Sequence, residues 1–216
     1  MRVKTGFLIC LMMLLCCTGA YAEGSYQSLS DKAGIRDAAQ VDAWIEIPGT
    51  DFSQPVMRHP KDDAWYAKHD AQGRESETGT LYVQPTYNAA GFTDPVTLVY
   101  GSSAREGAPL RELQEMFSGS FDKHRTIVVH LPQETREYRV FAAVPYSSIH
   151  ILHYYDFSVE RRFNSFFNAV FSTRALGMHL DEDNRPEPTD RVLILSTSVR
   201  GDKTQRYLVM AKLVTP

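Results

Sequence analysis

Short apolar segments bounded by glycine, proline or polar turn residues recur along the chain, and they restrict it to a fold built mainly of β-strands. Each segment is four to nine residues long, which suits a strand better than a helix. The segments lie at residues 44–47, 80–83, 96–100, 126–131, 137–144, 191–197 and 206–214. They predict a mostly β fold, a closed or nearly closed β-barrel of about eight strands with inserted helices.

Apolar side chains at helical spacing predict three helices in addition to the strands. The clearest pattern repeats at i, i+3, i+4, i+7 and i+8, and it comprises Phe163, Phe166, Phe167, Val170 and Phe171. Gly177 is a plausible stop for this helix, because glycine often follows a helix C-terminus. Pro109 suits the first turn of a second helix, and Ser30 suits the start of a short N-terminal helix.

The first 22 residues have the layout of a secretory signal peptide. Two basic residues precede an apolar run at residues 7–17, and the small-residue triplet Ala20-Tyr21-Ala22 follows it, as in a cleavable leader. The apolar run is shorter than the roughly 20 residues that a membrane-spanning helix needs. A retained anchor is one alternative, and lipidation of Cys16 or Cys17 is another.

The remainder of the chain is expected to be one cysteine-free domain. We expect an N-terminal helical segment at residues 23–43 and a β-barrel domain at 44–216, after the signal peptide at 1–22. All three cysteines of the chain lie at or before Cys17. The mature protein therefore has no disulfide, thiolate metal site or cysteine nucleophile, although an extracellular compartment permits disulfides.

Net charge and the absence of known motifs restrict the kinds of partner and cofactor that the chain is expected to bind. The chain has 23 basic and 26 acidic residues, and loss of the leader removes two basic ones. This balance argues against nucleic acid or an anionic membrane as a partner. The sequence has no metal motif, phosphate-cradling glycine loop or glycine-flanked nucleophilic serine, and its seven histidines are scattered. We expect no cofactor, no metal and, once the leader is cleaved, no stable membrane span.

Short blocks follow one another in a distinctive order along the mature chain. They are Trp44–Thr50 with Pro55-Val56, Tyr66 with His69-Asp70, Gly79–Tyr82, Phe121–His124, Tyr138–Val144 and then the aromatic helix. In their order and spacing these blocks resemble the class B sortases, from about Trp44 to Val214. The resemblance implies a sortase barrel, descent from a cysteine transpeptidase, and secretion to the exterior or cell surface of a Gram-positive bacterium.

Two further segments resemble the motifs that carry sortase chemistry, and each lacks the reactive side chain. Residues 99–102 read Val-Tyr-Gly-Ser, so Ser102 stands where the family has its catalytic histidine after Tyr-Gly. Residues 195–198 read Leu-Ser-Thr-Ser, so Ser198 stands where the Leu-x-Thr-Cys motif has its nucleophile. Arg206 matches the third catalytic residue, and the resemblance implies that Thr197 and Arg206 contact substrate.

These replacements favour a catalytically inactive protein that binds peptides. A serine hydroxyl needs an adjacent base to attack an amide, and a placed base is worth on the order of 10²–10⁴ in rate. Ser102 cannot act as that base. The expected partner is a sorting-signal peptide, a pilin-like protein or an active sortase.

Two alternatives remain open. The first is a slow enzyme with Ser198 as nucleophile, Arg206 as oxyanion stabiliser and a displaced histidine as base. A histidine ring within about 3.2 Å of Ser198 would favour that enzyme, whereas an open groove at Arg206 without a base would favour peptide binding. The second is a barrel reused for an unrelated task, which a filled groove would favour.

Overall fold

The computed structural model describes residues 26–31, 33–35, 40–199 and 201–215. The expected signal peptide at 1–22 lies outside these residues, together with the retained-anchor and lipidation alternatives. Within the described ranges, no helix has the length and apolar character needed to cross a membrane.

Nine strands are found in the described part of the chain. They are β1 (Val41–Glu46), β2 (Ser53–Met57), β3 (Leu81–Tyr82), β4 (Val96–Gly101), β5 (Thr126–His130), β6 (Thr135–Ser147), β7 (His179–Leu180), β8 (Val192–Val199) and β9 (Asp202–Thr215).

Helices lie before, between and beside the strands. They are α1 (residues 26–31), α2 (Leu113–Ser120), α3 (Ile151–Tyr154) and α4 (Glu160–Ser172), with 3₁₀ turns at Trp65–Ala67, Phe121–Lys123 and Glu182–Asn184. The connection between β6 and β7 contains both α3 and α4, and α4 carries the aromatic pattern seen in the sequence.

Eight of the described strands close into a ring in the order β1-β2-β3-β4-β8-β9-β6-β5, and β5 pairs again with β1. The pairs β2–β3 and β4–β8 are parallel, and the other pairs in the ring are antiparallel. Strand β7 lies outside the ring, beside β6. This closed, mixed, eight-stranded barrel with a few helices confirms the predicted fold class.

Strands β4 and β8 are buried on both faces, which explains why they appear in the sequence as continuous apolar runs. One face packs inside the barrel, where Val99 and Leu195 join a cluster contributed by all parts of the ring. The other face, represented by Leu98 and Ile194, packs against the aromatic side of α4. The two strands thus form a rigid wall between two cores, and their C-terminal ends open on the same edge.

The N-terminal segment differs from the expected helix at residues 23–43. Its described helix covers residues 26–31, and β1 begins at Val41. Val41 lies opposite Met57 of β2, with a bulge before Ala43. Val41 therefore belongs to a strand in which Ala43 and Ile45 alternate into the barrel. Ser30 lies within the described helix and not at its start.

Three other boundaries differ for identifiable reasons. Strand β9 begins at Asp202, before Arg206, because a polar stretch extends its pairing with β6 to Gln205 and with β8 to Asp202. Helix α2 begins at Leu113, because the Leu110 N–H donates to the Ser102 carbonyl instead of starting a helix after Pro109. Helix α4 ends at Ser172, before the expected stop at Gly177, because Thr173 is extended.

Candidate active site

The parallel pairing of β4 and β8 places the two expected serine positions side by side. Gly101 is in register with Thr197 at the ends of the two strands, so Ser102 and Ser198 follow at the same edge. Both serines are half-buried. The structure therefore brings together two segments that lie far apart in sequence.

Antiparallel pairing adds the arginine. Ser198 of β8 lies directly opposite Arg206 of β9, and side chains of such a pair project from the same face, with Cβ atoms about 4.5–5.5 Å apart. On its other side, Arg206 is in register with Tyr146 of β6. Ser102, Ser198 and Arg206 thus converge on one edge of the barrel wall.

The hydroxyl that contacts Ser198 belongs to Ser103, the residue that follows Ser102. Ser103 Oγ donates to the Ser198 carbonyl at 2.5 Å and lies 3.3 Å from Ser198 Oγ. The serine doublet at 102–103 was the only signal for this contact, and it did not indicate which of the two hydroxyls would face β8.

Ser102 instead holds the loop that follows β4. Its Oγ accepts a hydrogen bond from the Ala104 N–H at 3.2 Å, and its carbonyl accepts from the Leu110 N–H at 2.9 Å. These bonds turn the chain away from β8 immediately after the strand. The structure therefore shows Ser102 as a loop-forming residue next to Ser198.

Gly101 allows this strand end to pack closely. A Cβ atom placed on it would lie 2.6 Å from Leu81 Cδ2 and 2.8 Å from Leu110 Cδ1. Such distances are well inside van der Waals contact, so a side chain at this position would push β3 or the 102–110 loop outward. The glycine that precedes the serine doublet is thus required by packing.

Arg206 is half-buried, and its guanidinium faces an aromatic surface. Its Cζ atom lies 5.8 Å from the centroid of the Tyr100 ring, within the range of a cation–π contact. Tyr100 in turn stacks on Tyr82, with ring centroids 5.6 Å apart. Among the described residues, Arg206 forms no ion pair with a carboxylate.

Burial dominates the ionisation of the tyrosines near Arg206. Desolvation raises the pKa of Tyr100 and that of Tyr82, and the nearby positive charge of Arg206 only partly opposes this rise. Desolvation likewise raises the pKa of Tyr146, and a hydrogen bond with Tyr155 adds to the effect. These phenols are therefore neutral at physiological pH, and they supply an apolar, polarisable surface rather than a base.

Thr197, expected to contact substrate, lies on the opposite face. Its side chain is only 1% exposed because alternation along β8 directs it into the barrel, away from Ser198. It is in register with Tyr207, and neither hydroxyl has a hydrogen-bond partner among the described residues. Burial raises the pKa of Tyr207 to about 12. The Thr197 side chain is therefore not available to a ligand at Ser198, contrary to expectation.

One histidine ring lies near the site without contacting Ser198: the centroids of the His150 and Tyr100 rings are 6.5 Å apart. His150 Nδ1 accepts from the His153 N–H at the start of α3, and the His150 ring packs on Tyr87 at 4.5 Å. His59 and His69 both stack on Trp65. The hydrogen bonds of the described residues include none between Ser198 and a histidine ring.

The same part of the chain contains no group of three or more histidine, cysteine or acidic side chains placed to hold a metal ion. Among the described residues, the hydrogen-bond partner of the Ser198 hydroxyl is the Ser103 hydroxyl.

No protein-family model matches the chain. Among curated proteins, it is similar to sortase B of Listeria monocytogenes, with 21% identity over 175 residues. The aligned region covers 80% of this chain and 69% of that protein.

Solved structures of sortase B superimpose on nearly the whole fold. Sortase B of Clostridium perfringens gives a TM-score of 0.71 at 19% identity, covering 88% of this chain and 99% of that one. The Staphylococcus aureus sortase B–substrate complex gives 0.70 at 20% identity, covering 89% and 86%. The chain therefore has the fold of sortase B.

Proposed function

We propose that this protein is an exported relative of the class B sortases that binds peptides at the face around Arg206 without cleaving or joining them. The observation that carries the proposal is the partner of Ser198. Its hydroxyl faces another hydroxyl, that of Ser103, while Arg206 lies opposite it without a carboxylate partner in the described chain. The site keeps a group that binds a peptide carbonyl and lacks the groups that would attack it.

The chemistry of the site supports binding over turnover. Amide attack by serine requires a base within hydrogen-bond reach. Ser102 and Ser103 are the hydroxyl residues next to Ser198, and a neutral hydroxyl does not accept its proton. Arg206 can still polarise a carbonyl, because its guanidinium is permanently charged and presents several donors, but polarisation without attack gives no product.

The comparisons support a peptide as the ligand class. The similar structures include a sortase B bound to substrate, and a cysteine-to-serine mutant form of Clostridium perfringens sortase B has the same TM-score of 0.71. On this basis a sorting-signal peptide is the preferred ligand. It could be presented as a free peptide, as part of a pilin-like protein or by an active sortase. The expected location is the exterior or surface of a Gram-positive cell.

The test is to mix the purified full chain with the peptide substrate of Staphylococcus aureus sortase B, using that enzyme as the positive control. We expect saturable binding by fluorescence anisotropy, no cleavage above background, and weaker binding by Arg206→Ala. Cleavage that disappears in Ser198→Ala would overturn the proposal in favour of the serine enzyme. Absence of any binding would favour a barrel reused for another task.

A further inference from the structure

The positive charge of Arg206 is the starting point for a more specific ligand. Arg206 is half-buried, and its guanidinium lies on the Tyr100 ring and has no carboxylate partner among the described residues. A cation that is partly withdrawn from water and unpaired has a strong preference for an incoming anion. A neutral peptide carbonyl satisfies that preference only in part.

The hydroxyls beside Arg206 are arranged as donors. Ser103 has one hydroxyl hydrogen, and it is used in the 2.5 Å bond to the Ser198 carbonyl. In the longer 3.3 Å contact between the two hydroxyls, Ser198 must therefore be the donor. Turning the Ser198 hydroxyl toward a ligand gives up only this long contact, so it can readily donate to an acceptor placed against Arg206.

Acidic groups whose charge reaches this face are engaged elsewhere. Asp62 and Asp63 both act on the pKa of Tyr82, but Asp62 accepts from the Ala64 N–H and Asp63 accepts from the Thr86 N–H. Asp202 precedes Arg206 by four residues on β9, roughly 13 Å along a strand, and it bonds to Thr204. Among the described residues, none of these carboxylates forms an ion pair with the guanidinium.

From this arrangement we propose that the site binds the free C-terminal carboxylate of a peptide in preference to an uncleaved peptide bond. The proposal rests on the peptide-binding function proposed above and specifies its ligand class. One guanidinium and one hydroxyl donor match a single carboxylate, whereas a phosphate group, with more charge and more acceptor atoms, calls for a larger donor set. The ligand is thus a product-like chain end, which a protease would generate, or a sortase when water instead of an amine takes the acyl group from the enzyme.

The experiment compares four labelled peptides by anisotropy against the purified full chain. They are the intact, amidated substrate of Staphylococcus aureus sortase B, its N-terminal cleavage fragment as a free carboxylate, the same fragment as a carboxamide, and that carboxamide with aspartate as its last residue. The free-carboxylate fragment is expected to bind about 10- to 100-fold more tightly than its carboxamide, the range for a hydrogen bond to a charged group.

Single substitutions test which side chains cause the preference for a carboxylate over a carboxamide. Arg206→Ala and Arg206→Gln should abolish the ratio between carboxylate and carboxamide, and Ser198→Ala should reduce it about 3- to 10-fold. Arg161→Ala, which removes an exposed arginine from α4, is the matched control and should leave the ratio unchanged. Raising the salt from 0.1 to 1 M should also reduce the ratio, because the site is only half-buried.

The outcomes separate this inference from the function on which it rests. If carboxylate, carboxamide and intact peptide bind equally well, peptide binding stands and the carboxylate preference is overturned. If the aspartate peptide matches the free fragment, the preference for a chain end is overturned. If no peptide binds, the proposed function fails and this inference fails with it.

Discussion

Ser103 and Ser198 join the loop after β4 to the end of β8, through a hydrogen bond of 2.5 Å from the Ser103 hydroxyl to the Ser198 carbonyl. This contact fixes the position of Ser198 relative to the loop, and so relative to any ligand that approaches from the β4 side. It also explains why the serine doublet has two roles, since Ser102 shapes the loop and Ser103 attaches it.

Ser103→Ala should loosen this attachment. Loss of one half-buried hydrogen bond is expected to lower the free energy of unfolding by about 0.5–1.5 kcal/mol, measured by urea titration, and to speed amide exchange in residues 102–110. Ser148→Ala is the matched control, because Ser148 is exposed and its loss should change stability by less than about 0.5 kcal/mol. Equal effects of the two substitutions would contradict the role assigned to Ser103.

Two glycine substitutions of opposite expected sign test the packing below the site. Gly101→Ala should lower the free energy of unfolding by about 1–3 kcal/mol, because the new Cβ would overpack against Leu81 and Leu110. Gly119→Ala in α2 meets no atom within 4 Å and should stabilise by about 0.5–1 kcal/mol through helix propensity. Thermal and urea unfolding of both variants would show whether the signs differ.

Tyr207 should make the protein sensitive to alkali. Burial raises its pKa to about 12, compared with about 10 in an unfolded chain. Between pH 10 and pH 12 the unfolded state has lost this proton and the folded state retains it, so stability falls as the pH rises through that window. Below pH 10 both states hold the proton, and Tyr207 contributes no pH dependence.

Tyr207→Phe should therefore reduce the alkaline loss of stability in urea titrations from pH 7 to pH 11. At pH 7 it should be neutral or slightly stabilising, because the Tyr207 hydroxyl is buried without a partner among the described residues. Tyr154→Phe, at a tyrosine that is 63% exposed, is the control and should leave the pH curve unchanged. A large loss of stability in Tyr207→Phe at pH 7 would show that the hydroxyl has a partner.

Thr197→Val tests the face on which Thr197 lies. The substitution keeps the shape of the side chain and removes a buried, unpartnered hydroxyl, so it should raise the free energy of unfolding by up to about 1 kcal/mol. Peptide affinity in the anisotropy assay should change less than twofold, because the side chain points into the barrel. A fivefold or larger loss of affinity in a stably folded variant would restore the original expectation that Thr197 contacts substrate.

The apolar segments predicted most of the barrel because strands such as β4 and β8 are buried on both faces and have few competing local structures. The predicted ends of strands were less accurate where polar residues continue the backbone hydrogen bonding of the sheet, as from Asp202 to Arg206. The pairing of β5 with β1, which closes the ring, joins Trp44 to His130, and such a contact between distant segments has no local signal.

The part of the site that lies on strands could be predicted, because strand patterns are visible in the sequence. The strand register that places Ser198 opposite Arg206 follows from the two motifs and the antiparallel order of β8 and β9. The inward position of Thr197 was also readable, since it alternates with Ser198 along one strand. The contact from Ser103 was not readable, because a loop residue has no fixed periodicity and its direction is set by bonds made at Ser102.

The parallel pairing of β4 with β8 also bears on how this protein acquires its structure. Ser103 and Ser198 are 95 residues apart in sequence, and such a contact carries a large loop-closure entropy before any packing compensates for it. Hairpins such as β8–β9 can form early, whereas the edge that carries the site forms only when β4 pairs with β8. A folding intermediate with native hairpins would therefore lack the site altogether, and ligand binding would report only on molecules that have completed the slowest step.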